Sequence, residues 1–230
     1  MEPYIHIENL TRTYVRGANE IHALDDVSVD IADGEFVALM GPSGSGKTTL
    51  LNIVAGIDHA TSGAVSIGGQ DVLAMSDAAK ASWRTRNVGY VFQFYNLMPM
   101  LTAFENVELP LLVLPLNYQQ RLEHAQAALE AVEILTRRDH YPKQLSGGEQ
   151  QRVAIARAIV TDAKVLVADE PTGNLDAESE QSIMTLLKRL NKELGKTMVM
   201  VTHDSAAAAF ADRTIRLEKG RLKNTEMAGA

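Results

Sequence analysis

The sequence predicts an α/β fold with buried parallel strands, an antiparallel β patch near the N-terminus and a helical insertion, and three observations carry that prediction. Phe36-Val37-Ala38-Leu39-Met40, Val165-Leu166-Val167-Ala168 and Met198-Val199-Met200-Val201 are continuous apolar runs that end directly at polar loops, the signature of strands covered on both faces. Helix-like stretches at Lys47 to Val54, Gln119 to Leu135, Gln150 to Val160 and Glu178 to Leu194 alternate with them in the βαβ manner. Between about Phe94 and Thr161 the strand signal almost disappears.

Tyr4-Ile5-His6-Ile7-Glu8-Asn9-Leu10 alternates like an edge strand, and Val27-Ser28-Val29-Asp30-Ile31 repeats the pattern after a polar bend, which defines the antiparallel patch. Thr102-Ala103-Phe104-Glu105 has the spacing of a capping box and opens a helix in the insertion. The expected organisation is one domain over 1–230. Its α/β core and β patch take 1–93 and 162–222, the helical subdomain about 94–161, and a small polar tail, expected to fray, 223–230.

Composition narrows the function classes. The formal net charge of −7 lacks the electrostatic footprint of a nucleic-acid binder, so nucleic acid is not an expected partner. With no cysteine, disulfide frames, thiol nucleophiles and cysteine metal sites are excluded. Met1-Glu2-Pro3-Tyr4 does not read as a secretion signal. The most apolar window, Val107 to Leu116, contains Glu108, Pro110 and Pro115 and falls short of the roughly 20 residues that cross a bilayer. Any membrane role would come through a partner.

Gly41-Pro42-Ser43-Gly44-Ser45-Gly46-Lys47-Thr48 follows an apolar strand and opens a helix, the context that a G-x-x-x-x-G-K-[ST] phosphate loop requires. Its glycines let backbone N–H groups turn toward phosphate oxygens, Lys47 reaches the β- and γ-phosphates, and the Thr48 hydroxyl can ligate Mg²⁺. Asp169 and Glu170 end a buried strand, beside that loop if the two strands are neighbours. Adjacent strand residues face opposite ways, which assigns them different tasks: Asp169 to Mg²⁺ and Glu170 to polarising an attacking water as general base. Ser146 and Glu149 have capping-box spacing at the start of a helix with Val153, Ala156 and Ile159 on its apolar face. Gly147 and Gly148 each cost about 1 kcal/mol relative to alanine there, so close approach to this backbone is expected, and a phosphate suits such a helix start. Gln93 at a strand end could touch Mg²⁺ or water or simply be solvated; His203 could contact a γ-phosphate or be structural; Tyr14 could stack on a base or pack.

Taken in order, Tyr14, the Gly41 to Thr48 loop, Gln93, Leu145-Ser146-Gly147-Gly148-Glu149, the Asp169-Glu170 pair, Gly173-Asn174-Leu175-Asp176 and His203 resemble the motif series of ABC ATPases, over nearly the whole chain to about Leu222. The resemblance implies that Tyr14 stacks on adenine, that Gln93 is the Q-loop residue and a further Mg²⁺ contact, that Asp176 belongs to the D-loop and that His203 is the switch histidine. It also implies that Thr49 joins the phosphate-loop residues in holding ATP–Mg²⁺, and that Lys47, Gln93, Glu170 and His203 carry hydrolysis. It further implies a head-to-tail homodimer in which Ser146, Gly147 and Gly148 of one copy complete the ATP site of the other, with Glu149 counted among the residues that bind the nucleotide. Phe92-Gln93-Phe94-Tyr95-Asn96-Leu97-Met98-Pro99 and Glu105-Asn106-Val107-Glu108-Leu109-Pro110 are similar to the macrolide-efflux and lipoprotein-release subgroup, with cell-division ATPases of the FtsE type near by. Phe94 departs from it, since a polar residue is commoner there. The subgroup implies an integral membrane permease and an extracytoplasmic adaptor as partners, and a place at the cytoplasmic face of the cell membrane. The expected function is therefore ATP hydrolysis driving export or mechanotransmission, with a non-transporting regulator of cell-division type as the alternative and a soluble ABC ATPase as a third reading.

Overall fold

The computed structural model describes residues 2–17 and 19–227. In chain order the strands are β1 Ile5–Arg16, β2 Asn19–Ile31, β3 Phe36–Met40, β4 Ser62–Ile67, β5 Gln70–Asp71, β6 Val88–Val91, β7 Val165–Asp169, β8 Thr197–Val201, β9 Arg213–Glu218 and β10 Arg221–Met227. The helices are α1 Lys47–Val54, α2 Asp77–Asn87, α3 Ala103–Glu108, α4 Tyr118–Ala131, α5 Gly147–Ile159, α6 Ala177–Leu194 and α7 Ser205–Ala208. The stretch 94–161 contains α3, α4, α5 and short 3₁₀ turns, and no strand.

Two sheets form. One is six-stranded in the order β10-β9-β3-β8-β7-β6, parallel except for β10; the other is four-stranded and antiparallel in the order β2-β1-β4-β5. Alternation along the parallel strands divides the interior in two. Ala38, Leu166, Ala168, Met198 and Met200 face a core shared with α5 and α6. Val37, Leu39, Val165, Val167, Val199 and Val201 face the other way, onto Leu50, Leu51, Ile53 and Val54 of α1 and onto Ile5, Ile7, Leu10 and Val27 of the antiparallel sheet. Helix α1 is thus sandwiched between the sheets.

Caps fix the helix starts that matter for the site. Thr102 accepts from Glu105 N at 3.2 Å while Glu105 Oε2 accepts from Thr102 N at 2.7 Å, and Ser146 and Glu149 exchange the same pair at 3.2 and 2.8 Å. Asp176 Oδ1 accepts from Ser179 N at 2.8 Å, and α6 ends at Gly195 with φ 58°.

Three expectations need correction. β1 is no edge strand: it pairs with β2 and β4, and its alternation reflects one buried face. The phosphate-loop strand β3 and the carboxylate strand β7 are not neighbours, because β8 lies between them. The chain from Lys223 to Met227 is not a frayed tail but the greater part of β10, turned back onto β9 by Lys219 and Gly220, both with positive φ; 228–230 lie outside the described residues.

Gly89 in β6 marks how tightly α5 crosses the sheet: a Cβ there would stand 2.1 Å from the Ala158 carbonyl oxygen and 2.6 Å from Leu166 Cδ2. Gly89→Ala should therefore destabilise the fold by about 2 kcal/mol or more, read as a lower midpoint in chemical denaturation.

Candidate nucleotide site

Leu39 of β3 and Asp169 of β7 both pair with Val201 of β8, so the strands end at one level, about 10 Å apart across the intervening strand. The loop after β3 closes that gap. Gly41 and Gly46 have φ 153° and 101°, and a Cβ would lie 2.0 Å from the Leu217 carbonyl oxygen at the first and 2.2 Å from that of Ala23 at the second. Gly44, with φ 75°, has open space where a Cβ would be. The loop is wedged between β9 and β2 with its middle toward a cavity of about 500 Å³.

Lys47 is buried, and its Nζ donates to the carbonyls of Gly41 and Pro42 at 2.8 and 2.9 Å, leaving one of its three protons for a ligand. Gly46 starts α1 without a side-chain cap, so the first N–H groups of that helix are not spent on one. Thr48 Oγ1 makes a long hydrogen bond, 3.4 Å, to Asp169 Oδ1. A hydroxyl and a carboxylate are hard oxygen donors of the kind Mg²⁺ takes, in company with phosphate oxygens and water. Among the described residues no three His, Cys, Asp or Glu side chains gather to form a metal cluster without such help.

Glu170 lies beyond the strand end, with φ 45°, a conformation that costs a non-glycine residue about 1–2 kcal/mol. Its N–H donates to the Val201 carbonyl at 2.9 Å and its carbonyl accepts from Gly173 N at 3.1 Å. Asp169 and Glu170 diverge because the strand stops, not because strand residues alternate. The turn brings Glu170 Oε2 within 3.0 Å of His203 Nδ1.

Of the residues singled out in the sequence, Tyr14, Gly41, Ser43, Gly44, Ser45, Gly46, Lys47, Thr48, Thr49, Glu170 and His203 line this cavity. Pro42, Gln93, Ser146, Gly147, Gly148, Glu149, Asp169 and Asp176 do not, although Asp169 touches it through Thr48. Gln93 packs its side-chain amide against Gly173, whose Cβ would stand 3.0 Å from Nε2, and its carbonyl accepts from Asn174 Nδ2 at 3.0 Å. Asp176 is exposed at the start of α6. The close approach expected at Gly147 and Gly148 is met inside the chain: Cβ atoms would stand 3.0 Å from the Tyr95 hydroxyl at the first and 3.1 Å from Ser179 Oγ at the second. The sequence reading missed Ile21, His22 and Ala23, which form the wall beside Tyr14; their place follows from the β1–β2 register, which pairs Tyr14 with Ile21.

A family model for ABC transporters matches residues 24–173. The chain is 44% identical over 222 residues to the lipoprotein-releasing system ATP-binding protein LolD of Geobacter metallireducens, covering 96% of this chain and 99% of that one. It is 45% identical to the macrolide export ATP-binding/permease protein MacB of Rhodopirellula baltica over 94% of this chain but 32% of MacB. Among solved structures, the dimeric post-hydrolysis form of the ATP-binding cassette MJ0796 of Methanocaldococcus jannaschii, bound to ADP and Pi, superposes with a TM-score of 0.89 at 43% identity, covering 98% of this chain and 99% of that one.

Burial raises the Asp169 carboxyl above the usual carboxylate range and the charge of Glu170 adds to the rise, while the Thr48 hydroxyl and Lys47 oppose it without cancelling it. A carboxyl whose folded-state pKa is the higher one costs stability once ionised. That cost is absent below its unfolded pKa and grows as pH rises through the folded one. Asp169→Asn should accordingly raise Tm at neutral pH, and the difference should vanish at pH values below the ordinary carboxylate range.

Proposed function

The chain belongs to the ABC transporter ATPase family, and from that premise we propose that it binds ATP–Mg²⁺, pairs head-to-tail with a second copy around two nucleotides, and couples their hydrolysis to a membrane permease. The observation that carries this reading is the facing of Lys47 and the phosphate loop by Glu170 and His203 across one cavity, while Ser146 to Glu149 stand outside it. A second copy supplying Ser146, Gly147 and Gly148 would close the open side, and the similar cassette MJ0796 is dimeric.

Within the site, Lys47 and the start of α1 hold the phosphates, and Tyr14 meets the base. Thr48 and Asp169, with Gln93 as a further contact, would hold Mg²⁺, which would supply charge neutralisation on the phosphate oxygens. Glu170 takes a proton from the attacking water as the bond between the terminal phosphorus and ADP breaks, and His203 keeps the Glu170 carboxylate aimed at that water. Asp176 faces the second copy.

Coupling would run through the segment after Gln93. Phe94, Met98 and Met100 are exposed there, next to a groove of about 440 Å³ lined by Ile57, Phe92, Leu109, Val113 and Arg157. Such a surface suits an apolar segment of a permease. No helix among the described residues is long and apolar enough to cross a membrane. The likeness to LolD and MacB favours lipoprotein release or export at the cytoplasmic face of the cell membrane, with an extracytoplasmic adaptor beyond the permease.

Glu170→Gln tests the chemistry. It should still form an ATP-dependent dimer by light scattering while phosphate release falls about 10²-fold or more. Near-normal turnover would remove Glu170 from the role of base, and absence of any ATP-dependent dimer in wild type and variant would remove the paired site.

A further inference from the structure

The nucleotide reading uses the ring of Tyr14 but not what stands behind it. Asp58 lies just past the C-terminal end of α1, in a turn fixed by Ile57 N and Asp58 N donating to the Asn52 carbonyl at 2.8 and 3.2 Å. Its Oδ1 accepts from Arg12 Nη2 at 2.7 Å and from His59 N at 2.7 Å, while Oδ2 accepts a short hydrogen bond from the Tyr14 hydroxyl. The Arg12 guanidinium carbon stands 4.3 Å from the centroid of the Tyr14 ring. The side chains of Arg12 and Asp58 are 20% and 18% exposed, whereas Tyr14 borders the cavity. Two further bonds, Thr61 N to the Thr11 carbonyl at 2.8 Å and Thr13 N to Thr61 Oγ1 at 2.9 Å, stitch β1 to the same turn.

A plain strand-to-turn ion pair would leave the phenol alone. Here one carboxylate oxygen is spent on the phenol, and the guanidinium that takes the other lies against the ring. A half-exposed tyrosine held at its tip and at one face loses its rotamer freedom when the protein folds, so that cost does not recur when a ligand binds. A cation on one face also draws electron density from the ring and leaves the other face better suited to an electron-rich planar partner.

We propose that Asp58 and Arg12 are positioning residues that hold Tyr14 as a preset stacking platform for a planar heteroaromatic base. The proposal rests on the nucleotide-binding reading above. It ties the base platform to the far end of the helix whose start holds the phosphates.

Titration of the full chain with ATP and, separately, with inorganic tripolyphosphate tests it. Asp58→Ala and Tyr14→Phe should each raise the Kd for ATP about fivefold to tenfold, with no further rise in the double variant, and leave the Kd for tripolyphosphate unchanged. Tyr14→Phe keeps the ring and its packing and decides the matter if Asp58→Ala fails to fold. Unchanged ATP affinity in the single variants, additive losses, or a parallel loss for tripolyphosphate would each overturn the proposal. A wild-type chain that bound neither ligand would sink the nucleotide reading and this inference with it; one that bound both, with indifferent variants, would sink this inference alone.

Discussion

The phosphate loop has almost no freedom, and the rest of the site is measured from it. Gly41 presses on the Leu217 carbonyl of β9 and Gly46 on the Ala23 carbonyl of β2, so one short loop is pinned by both sheets at once. Lys47 then closes the loop on itself through the Gly41 and Pro42 carbonyls. A loop held this way keeps its N–H groups converging without any side chain to hold them, and small displacements of either sheet would be felt there directly. Because β8 lies between β3 and β7, the strands that carry the loop and the acidic pair end about two strand spacings apart, and the start of α1 reaches across so that Thr48 Oγ1 lies 3.4 Å from Asp169 Oδ1.

The helical stretch is bound to this frame by a few directed contacts. Arg157 of α5 donates to the carbonyls of Tyr95 and Asn96, both at 2.6 Å, and these two residues have φ 57° and 49°. The Tyr95 hydroxyl in turn lies against Gly147, and Gly148 packs on Ser179 of α6. The segment after Gln93, the start of α5 and the start of α6 therefore meet at one place. The start of α5 can shift only by disturbing its neighbours, a mechanical arrangement suited to passing motion between a nucleotide and a distant surface.

Much of this was legible in the residues. Helix α1 and strand β3 fall on the predicted bounds, because the apolar run Phe36 to Met40, the glycines and the helix after them are all local signals. The capping pairs at Thr102 and Ser146 were likewise readable from three-residue spacing. What escaped is what depends on partners far away in the chain. β10 exists because β9 offers it an edge, and α2, polar over most of Asp77 to Asn87, is fixed by burial of Trp83 and Lys80. The Asp58 contacts span 44 and 46 residues, and no period or motif announces them. Glu170 looked like a strand residue because its conformation is imposed by the turn that follows it.

Helix α1 joins the grip on the phosphates to the anchor of Tyr14, and its eight residues span about 12 Å. A rigid rod of fixed length between two holds works as a gauge. On the proposed nucleotide reading, whatever nucleotide is seated would keep its base and inner phosphates in one register, whether it carries two phosphates or three. The difference between a fresh and a spent molecule would, on the same reading, fall at the end of the cavity where Glu170 and His203 stand, and that end would report which of the two is present.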